Sequence, residues 1–306
     1  MSERFPGVRI ATADGSMFSG TGLGLIIRFF MHRSHAGIAP SVMRALDTYR
    51  RAVGPDTLAW YPDAEGDWRR LDDSAWERTR QALLDTGPHT FATLVDRPQG
   101  AAGFRFEYEG ISLEEPSLFD DPRRACVASF WLPSTFLEES GPEHTRGLAL
   151  ELAAHLPFNS GYATLSFDTM RDEVGIRRSI RSMCFRYLGV DMLDHPVSWD
   201  IGTRIAGSYW LTFLGQPVLG ELGGAEGLRA RLTAPDTTVQ QLPGDRAVVT
   251  LGQWPEAGDV EAGENLPAYR ELARVMEPWL YHDAGTRFDP DFPPEDKRRW
   301  ERRFLD

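Results

Sequence analysis

Cysteine is nearly missing from this sequence: Cys126 and Cys184 are the only two in 306 residues. Two isolated thiols make neither a disulfide framework nor a zinc-ligand spacing, so a reducing compartment with two buried thiols is expected. Long hydrophobic runs are missing too. The most apolar early stretch, Leu23 to Met31, is short and interrupted by Arg28, whereas a membrane-spanning helix needs about 20 apolar residues. The segment Met1 to Pro6 lacks the charged-then-apolar order of a signal peptide. These absences read as a cytoplasmic chain with no membrane partner. Positive charge is also in deficit: 33 Lys and Arg against 45 Asp and Glu give a net charge of −12. Such a surface repels nucleic acid and anionic lipid and favours cationic partners, although acidity also serves plain solubility.

Signatures of catalysis are equally scarce. There is no Gly-x-Ser-x-Gly, His-Glu-x-x-His or Cys-x-x-Cys. His32 and His35 lie three apart with no carboxylate-rich helix beside them, which is a poor metal site. The glycines at 20, 22 and 24 lack the strand, helix and distant acid of a dinucleotide fingerprint, and the glycine-rich stretch 215–227 has no Gly-Lys-Ser/Thr. His89, His144, His155, His195 and His282 sit beside helix ends or prolines and suit surface or capping roles. No catalytic residue, cofactor or metal is expected. A hydrolase or transferase with an unfamiliar site, for instance around His32, His35 and Asp200, is the enzymatic alternative.

What the sequence does contain is the material of an ordinary globular core: 42% hydrophobic, 25% charged and 11% aromatic residues, with nine Trp. Its length sits just beyond the ~250–300 residues at which single cores stop growing. One domain over 1–306 is the reading, and two fused lobes meeting near 110–124 remain compatible with it. Leu25 to Phe30 is apolar on both faces, as in a central strand. Val42, Leu46, Tyr49 and Val53 give a helix from Pro40, stopped by Gly54 and Pro55. A second helix starts at Asp72–Ser74, with Ser74 as N-cap and Glu77 as its capping-box partner. Phe104, Phe106 and Tyr108 alternate with Arg105, Glu107 and Glu109, predicting a strand with one core face and one wet face. Pro243-Gly244-Asp245 is a hairpin turn between two strands. Helices are expected at 142–156, 174–188 and 267–280, strands at 125–132, 162–167 and 208–214. The tail 283–306 reads as a short solvated helix docking Trp300 and Phe304. The fold class is α+β, with mixed, mainly antiparallel sheets and packed helices.

Acids cluster in two stretches. Residues 106–122 hold Glu107, Glu109, Glu114, Glu115, Asp120 and Asp121 without a single base. Residues 254–269 hold Glu256, Asp259, Glu261 and Glu264, again without a base. Phe106, Tyr108, Phe119, Trp254 and Tyr269 accompany them. Apolar anchors inside a negative rim suit a protein interface, so these acids together with Trp254 form the expected partner-binding surface. The plain alternative is two solvated loops.

Several segments resemble the type VI immunity family that neutralises VRR-NUC nuclease effectors. They are Leu58–Tyr61 with Gly66–Trp68, Phe104–Tyr108, Ala128–Pro133, Leu148–Phe158, Asp200–Arg204, Trp210–Pro217 and Tyr269–Ala273. The stretch Trp-Leu-Thr-Phe-Leu-Gly from Trp210 is the most specific of them, and the resemblance covers about 20–282. It implies a non-enzymatic immunity protein whose partner is a cognate toxin, inhibited stoichiometrically, and it supplies no catalytic residues. A non-inhibitory adaptor is the third alternative.

Overall fold

The computed structural model describes residues 5–7, 10–11, 17–18, 22–98, 103–114, 121–168, 176–192, 195–283 and 291–306. Gly20, Glu115, Phe119 and Asp120 lie outside these.

The described elements run β1 (Ile10–Ala11), β2 (Met17–Phe18), β3 (Gly22–Met31), α1 (His35–Val53), β4 (Trp60–Pro62), β5 (Trp68–Arg70), α2 (Asp73–Leu84), β6 (His89–Val95), β7 (Arg105–Ile111) and β8 (Cys126–Pro133). There follow α3 (Ser134–Ser140), α4 (Pro142–His155), β9 (Ser160–Asp168), α5 (Ile176–Arg186), β10 (Asp191–Met192) and β11 (Leu211–Leu214). The chain ends through α6 (Val218–Glu221), α7 (Gly224–Arg231), β12 (Thr237–Leu242), β13 (Arg246–Leu251), α8 (Pro267–Met276) and α9 (Pro294–Glu301). Eleven strands form one sheet in the order β12-β13-β11-β9-β3-β8-β7-β6-β4-β5, with β10 added beside β9. Every pairing is antiparallel except β10 with β9. The class is α+β, as expected. β7 and β8, on either side of the 112–125 connection, are direct neighbours in the sheet.

β3 lies at the centre because its composition requires cover on both sides. Leu25, Ile27, Phe29 and Met31 join the larger core against the helices, whereas Ile26 and Phe30 join a second cluster on the opposite face with Trp131, Tyr162, Tyr209 and Tyr281. Alternation at period two sends these sets to opposite faces. Arg28 shares the second face and is buried there.

Two helix starts differ from the sequence reading. α1 begins at His35 and carries Pro40 in its second turn. Proline forfeits one backbone bond there, but the His35 ring is buried between the Tyr108 hydroxyl (2.8 Å) and the Asp85 carbonyl (2.8 Å), which anchors the extra turn. α2 is capped by Asp72 rather than Ser74: its carboxylate accepts from Ala75 N at 2.8 Å and from the Ser74 hydroxyl at 3.0 Å. The 243–245 turn links β12 to β13 as expected, with Gly244 (φ 75°) and Asp245 (φ 52°) both left-handed, the conformation that matches strand twist in tight hairpins.

The tail docks its aromatics as expected, while Glu295, Arg298 and Arg299 on α9 stay exposed. Phe292, Trp300 and Phe304 are buried. Phe304 packs on Tyr269 (ring centroids 5.5 Å) and Trp300 meets Phe185 edge-on (6.4 Å).

Candidate functional site

The sheet face away from α1 and α4 is polar at its centre. Cross-strand register lines up Tyr162, Arg28, Ser129, Glu107 and Thr93 in one row, and Phe30, Val127, Glu109 and Phe91 in the next. Two of the expected interface acids therefore stand on a rigid platform. Neither is bare. Glu107 accepts from Trp131 Nε1 (3.1 Å) and faces Arg105 Nε (3.5 Å). Arg105 in turn reaches Asp168 (2.9 Å) and lies over the Trp131 ring (4.4 Å). Burial opposes the charge of Arg105, but Glu107 and Asp168 outweigh it and hold its pKa above the ordinary value. Glu109 accepts from Arg124 Nη2 (3.3 Å) and Ser198 Oγ (3.1 Å). The face expected to be wet is half-buried, because it belongs to the middle of a large sheet.

The remaining described acids of this stretch lie off the platform. Glu114 accepts from the Ser34 hydroxyl, which is the first cause holding its carboxyl below the usual range. Asp121 is bound by Arg123 (2.7 Å). In the second stretch Asp259 takes two bonds from Arg186 (3.1 and 2.7 Å), and Glu261 meets the same guanidinium at 2.7 Å. That bond to Arg186 chiefly holds the Asp259 pKa down. Glu264 accepts the Asp259 amide at 2.8 Å. Burial, then nearby Glu264, pushes the Glu256 carboxyl up. Trp254 is half-buried against Phe5. The bases absent from each stretch in sequence are delivered from its borders (Arg105, Arg123, Arg124) or from α5 (Arg186).

The expected aromatic anchors are corrected: Phe106, Tyr108 and Tyr269 are buried in the core and present nothing to a partner. The large apolar side chains that are exposed include two that sequence reading missed. Phe91 is 67% exposed and is the direct cross-strand neighbour of Glu109. Trp199 is 46% exposed and follows Ser198, the residue bonded to Glu109. The signal for Phe91 was available in the alternation of β6; Trp199 lies in a 3₁₀ turn (His195–Trp199) with no periodicity to read. Phe91 thus stands beside an acid on this face, and Trp199 is the next residue after the serine that the acid binds.

Among the described residues, the candidate catalytic side chains each hold a structural contact. His32 Nδ1 pairs with the Arg124 carbonyl (2.8 Å), His35 is enclosed as described, and Asp200 accepts the Tyr281 hydroxyl (2.7 Å). Among the described residues no three His, Cys, Asp or Glu side chains group to hold a metal ion. Neither cysteine is in a disulfide and both are buried; burial pushes the Cys126 thiol up to about 11, which makes it inert rather than nucleophilic.

The described part of this face is a broad antiparallel sheet bearing an exposed aromatic and paired charges. The chain belongs to the type VI immunity family for VRR-NUC (TsiV), whose model matches residues 41–304. The match takes in the tail up to Phe304, beyond the 20–282 span of the sequence resemblance. A solved Pseudomonas aeruginosa T6SS protein, PA0821, shares the fold at a TM-score of 0.78 and 21% identity, over 97% of this chain and 87% of its own. No curated protein matches the chain. Among the described residues no helix is long and apolar enough to cross a membrane.

Proposed function

We propose that the protein is a non-enzymatic, cytoplasmic immunity protein that binds a cognate VRR-NUC-type toxin and silences it by stoichiometric occlusion. Family membership carries the reading; the platform around Glu109 suggests where the contact is made. A nuclease must present a cationic groove, because phosphate contacts dominate its affinity for DNA. The proposed contact uses Phe91 and Trp199 as apolar anchors, with Glu107 and Glu109 on the platform and Glu114, Glu115, Asp120 and Asp121 from the same acidic stretch of sequence as further candidates. Aromatics of this kind carry most binding energy, while acids steer encounter. The Trp254–Glu264 stretch, with Glu256, Asp259, Glu261 and Glu264, packs against α5 and α8 and is the secondary candidate.

The test pairs two variants with the co-expressed toxin. Phe91→Ala with Trp199→Ala should weaken binding by at least ~30-fold, about 2 kcal/mol, through faster dissociation. Neutralising the six acids to amides should instead slow association about tenfold at low salt and flatten its salt dependence. If both variants keep wild-type melting temperatures and still bind and protect like wild type, this surface is not the interface. Purified protein turning over a substrate without any toxin would remove the immunity reading itself.

A further inference from the structure

Trp199 is an exposed side chain on a segment that is otherwise held down. Its neighbours Ser198, Asp200 and Ile201 are buried, and the turn is tied to its surroundings on both sides of the indole. Two backbone bonds join it to the chain leading into β8: Ala125 N donates to the Ser198 carbonyl (2.8 Å), and Gly202 N donates to the Arg123 carbonyl (2.7 Å). Ile201 packs with Ile26, Phe30 and Tyr281 in the second core cluster. Each residue flanking the indole adds a side-chain bond. Ser198 Oγ donates to Glu109 Oε2 (3.1 Å), and the Tyr281 hydroxyl donates to Asp200 (2.7 Å).

Glu109 is poorly placed for the part that its charge suggests. Its other oxygen, Oε1, accepts from Arg124 Nη2 (3.3 Å). A carboxylate paired with a guanidinium presents little net charge at a distance, so the pair adds little to the field that steers a cationic partner. What Glu109 does hold is geometry. It stands on β7, which pairs with β6 on one side and β8 on the other. The Arg124 carbonyl is fixed in turn by the His32 ring (2.8 Å).

We propose that Glu109 is a positioning residue: through Ser198 it fixes the turn that presents Trp199, so that the indole is in place before the toxin arrives. The purpose of this clamp rests on the toxin-binding reading, but the clamp itself is a property of the free protein. An anchor that must be ordered on binding loses roughly three- to tenfold in affinity against one fixed beforehand.

The experiment has one arm without toxin and one with it, and two variants separate geometry from charge. Ser198→Ala breaks the bond, changes no charge and keeps the Glu109–Arg124 pair. Glu109→Gln removes the charge and keeps an oxygen to accept the Ser198 hydroxyl. In the first arm the full chain is labelled with fluorotryptophan, and the Trp199 fluorine resonance is identified by its loss in Trp199→Phe. Ser198→Ala should broaden that resonance or move it towards its position in the urea-unfolded chain, while the resonance of buried Trp210 stays in place. Glu109→Gln should leave both where they are in wild type. Glu109→Ala should behave as Ser198→Ala does; if it fails to fold, the other two variants decide.

In the second arm, dissociation from the cognate VRR-NUC-type toxin should be roughly three- to tenfold faster for Ser198→Ala and unchanged for Glu109→Gln. In a Trp199→Ala background, Ser198→Ala should add less than about twofold, since the two act as a unit. A Trp199 resonance that Ser198→Ala leaves unmoved, or that Glu109→Gln moves as far, overturns the proposal and leaves the toxin-binding reading standing. So does wild-type dissociation of Ser198→Ala from a toxin that Trp199→Ala releases faster. If Trp199→Ala itself dissociates at the wild-type rate, the interface reading is what fails, and the proposal falls with it.

Discussion

A buried histidine in this chain does the opposite of what its sequence neighbourhood suggests. His32 and His35 look like a spaced pair, but the fold separates their jobs: one ring holds a loop carbonyl, the other fills the space between β7 and the end of α2. Gly110 makes the second arrangement possible, since a Cβ there would fall 2.7 Å from His35 Nδ1. Burial lowers the His35 pKa from its ordinary 6.5, against the raising pull of the Asp85 carbonyl. The unfolded chain therefore binds a proton at a pH where the native ring does not. Its contribution to stability is complete above about 6.5 and is lost as pH falls through the native pKa. His35→Asn should remove that slope: subtracting its stability-against-pH curve from the wild-type curve should leave a difference that shrinks steadily from pH 7 towards pH 5. A constant difference would mean the ring is not the titrating group. None of this was readable from sequence, because the partners of His35 lie 50 and 73 residues away.

Periodicity located most elements, since it reports which face is covered. β3, β7, β8 and α4 fall within a residue or three of the expected spans. Ends were harder, because caps are decided by one hydrogen bond. The Ser74 and Glu77 pair has the spacing of a capping box, yet Asp72 reaches the Ala75 amide first and takes the role. Amide donation from Ala75 is the leading reason that the Asp72 pKa is held down. Asp72→Ala should lower the denaturation midpoint, while Glu77→Ala should leave it unchanged. If the two substitutions cost the same, the capping box is the true cap. Short elements such as β10, α3 and α6 gave no periodic signal, being too brief for a pattern to repeat.

At the scale of the whole molecule, charge was legible in total and illegible in place. The windows 106–122 and 254–269 contain no base, yet Arg105, Arg123, Arg124 and Arg186 neutralise much of both. Linear windows cannot see a counter-ion that folding brings in from outside. The tail was more legible: the i, i+4 pair Trp300 and Phe304 is docked as expected with Glu295, Arg298 and Arg299 exposed, and only Phe292, which lies ahead of the helix, gave no such signal. Phe292, Trp300 and Phe304 are each at least nine-tenths buried, and burying such side chains contributes about 1.5–3 kcal/mol apiece. Their sum is comparable to the ~5–15 kcal/mol that holds a typical protein folded. Truncation after His282 also removes Arg303 from the Leu188 carbonyl and uncovers Tyr209 and Tyr269, which the tail packs against. The truncated chain should accumulate as insoluble protein or melt well below the full chain in a thermal scan. A docked tail predicts that loss whether or not toxin is present; a truncated chain that stays soluble with an unchanged melting temperature would mean these aromatics stabilise nothing.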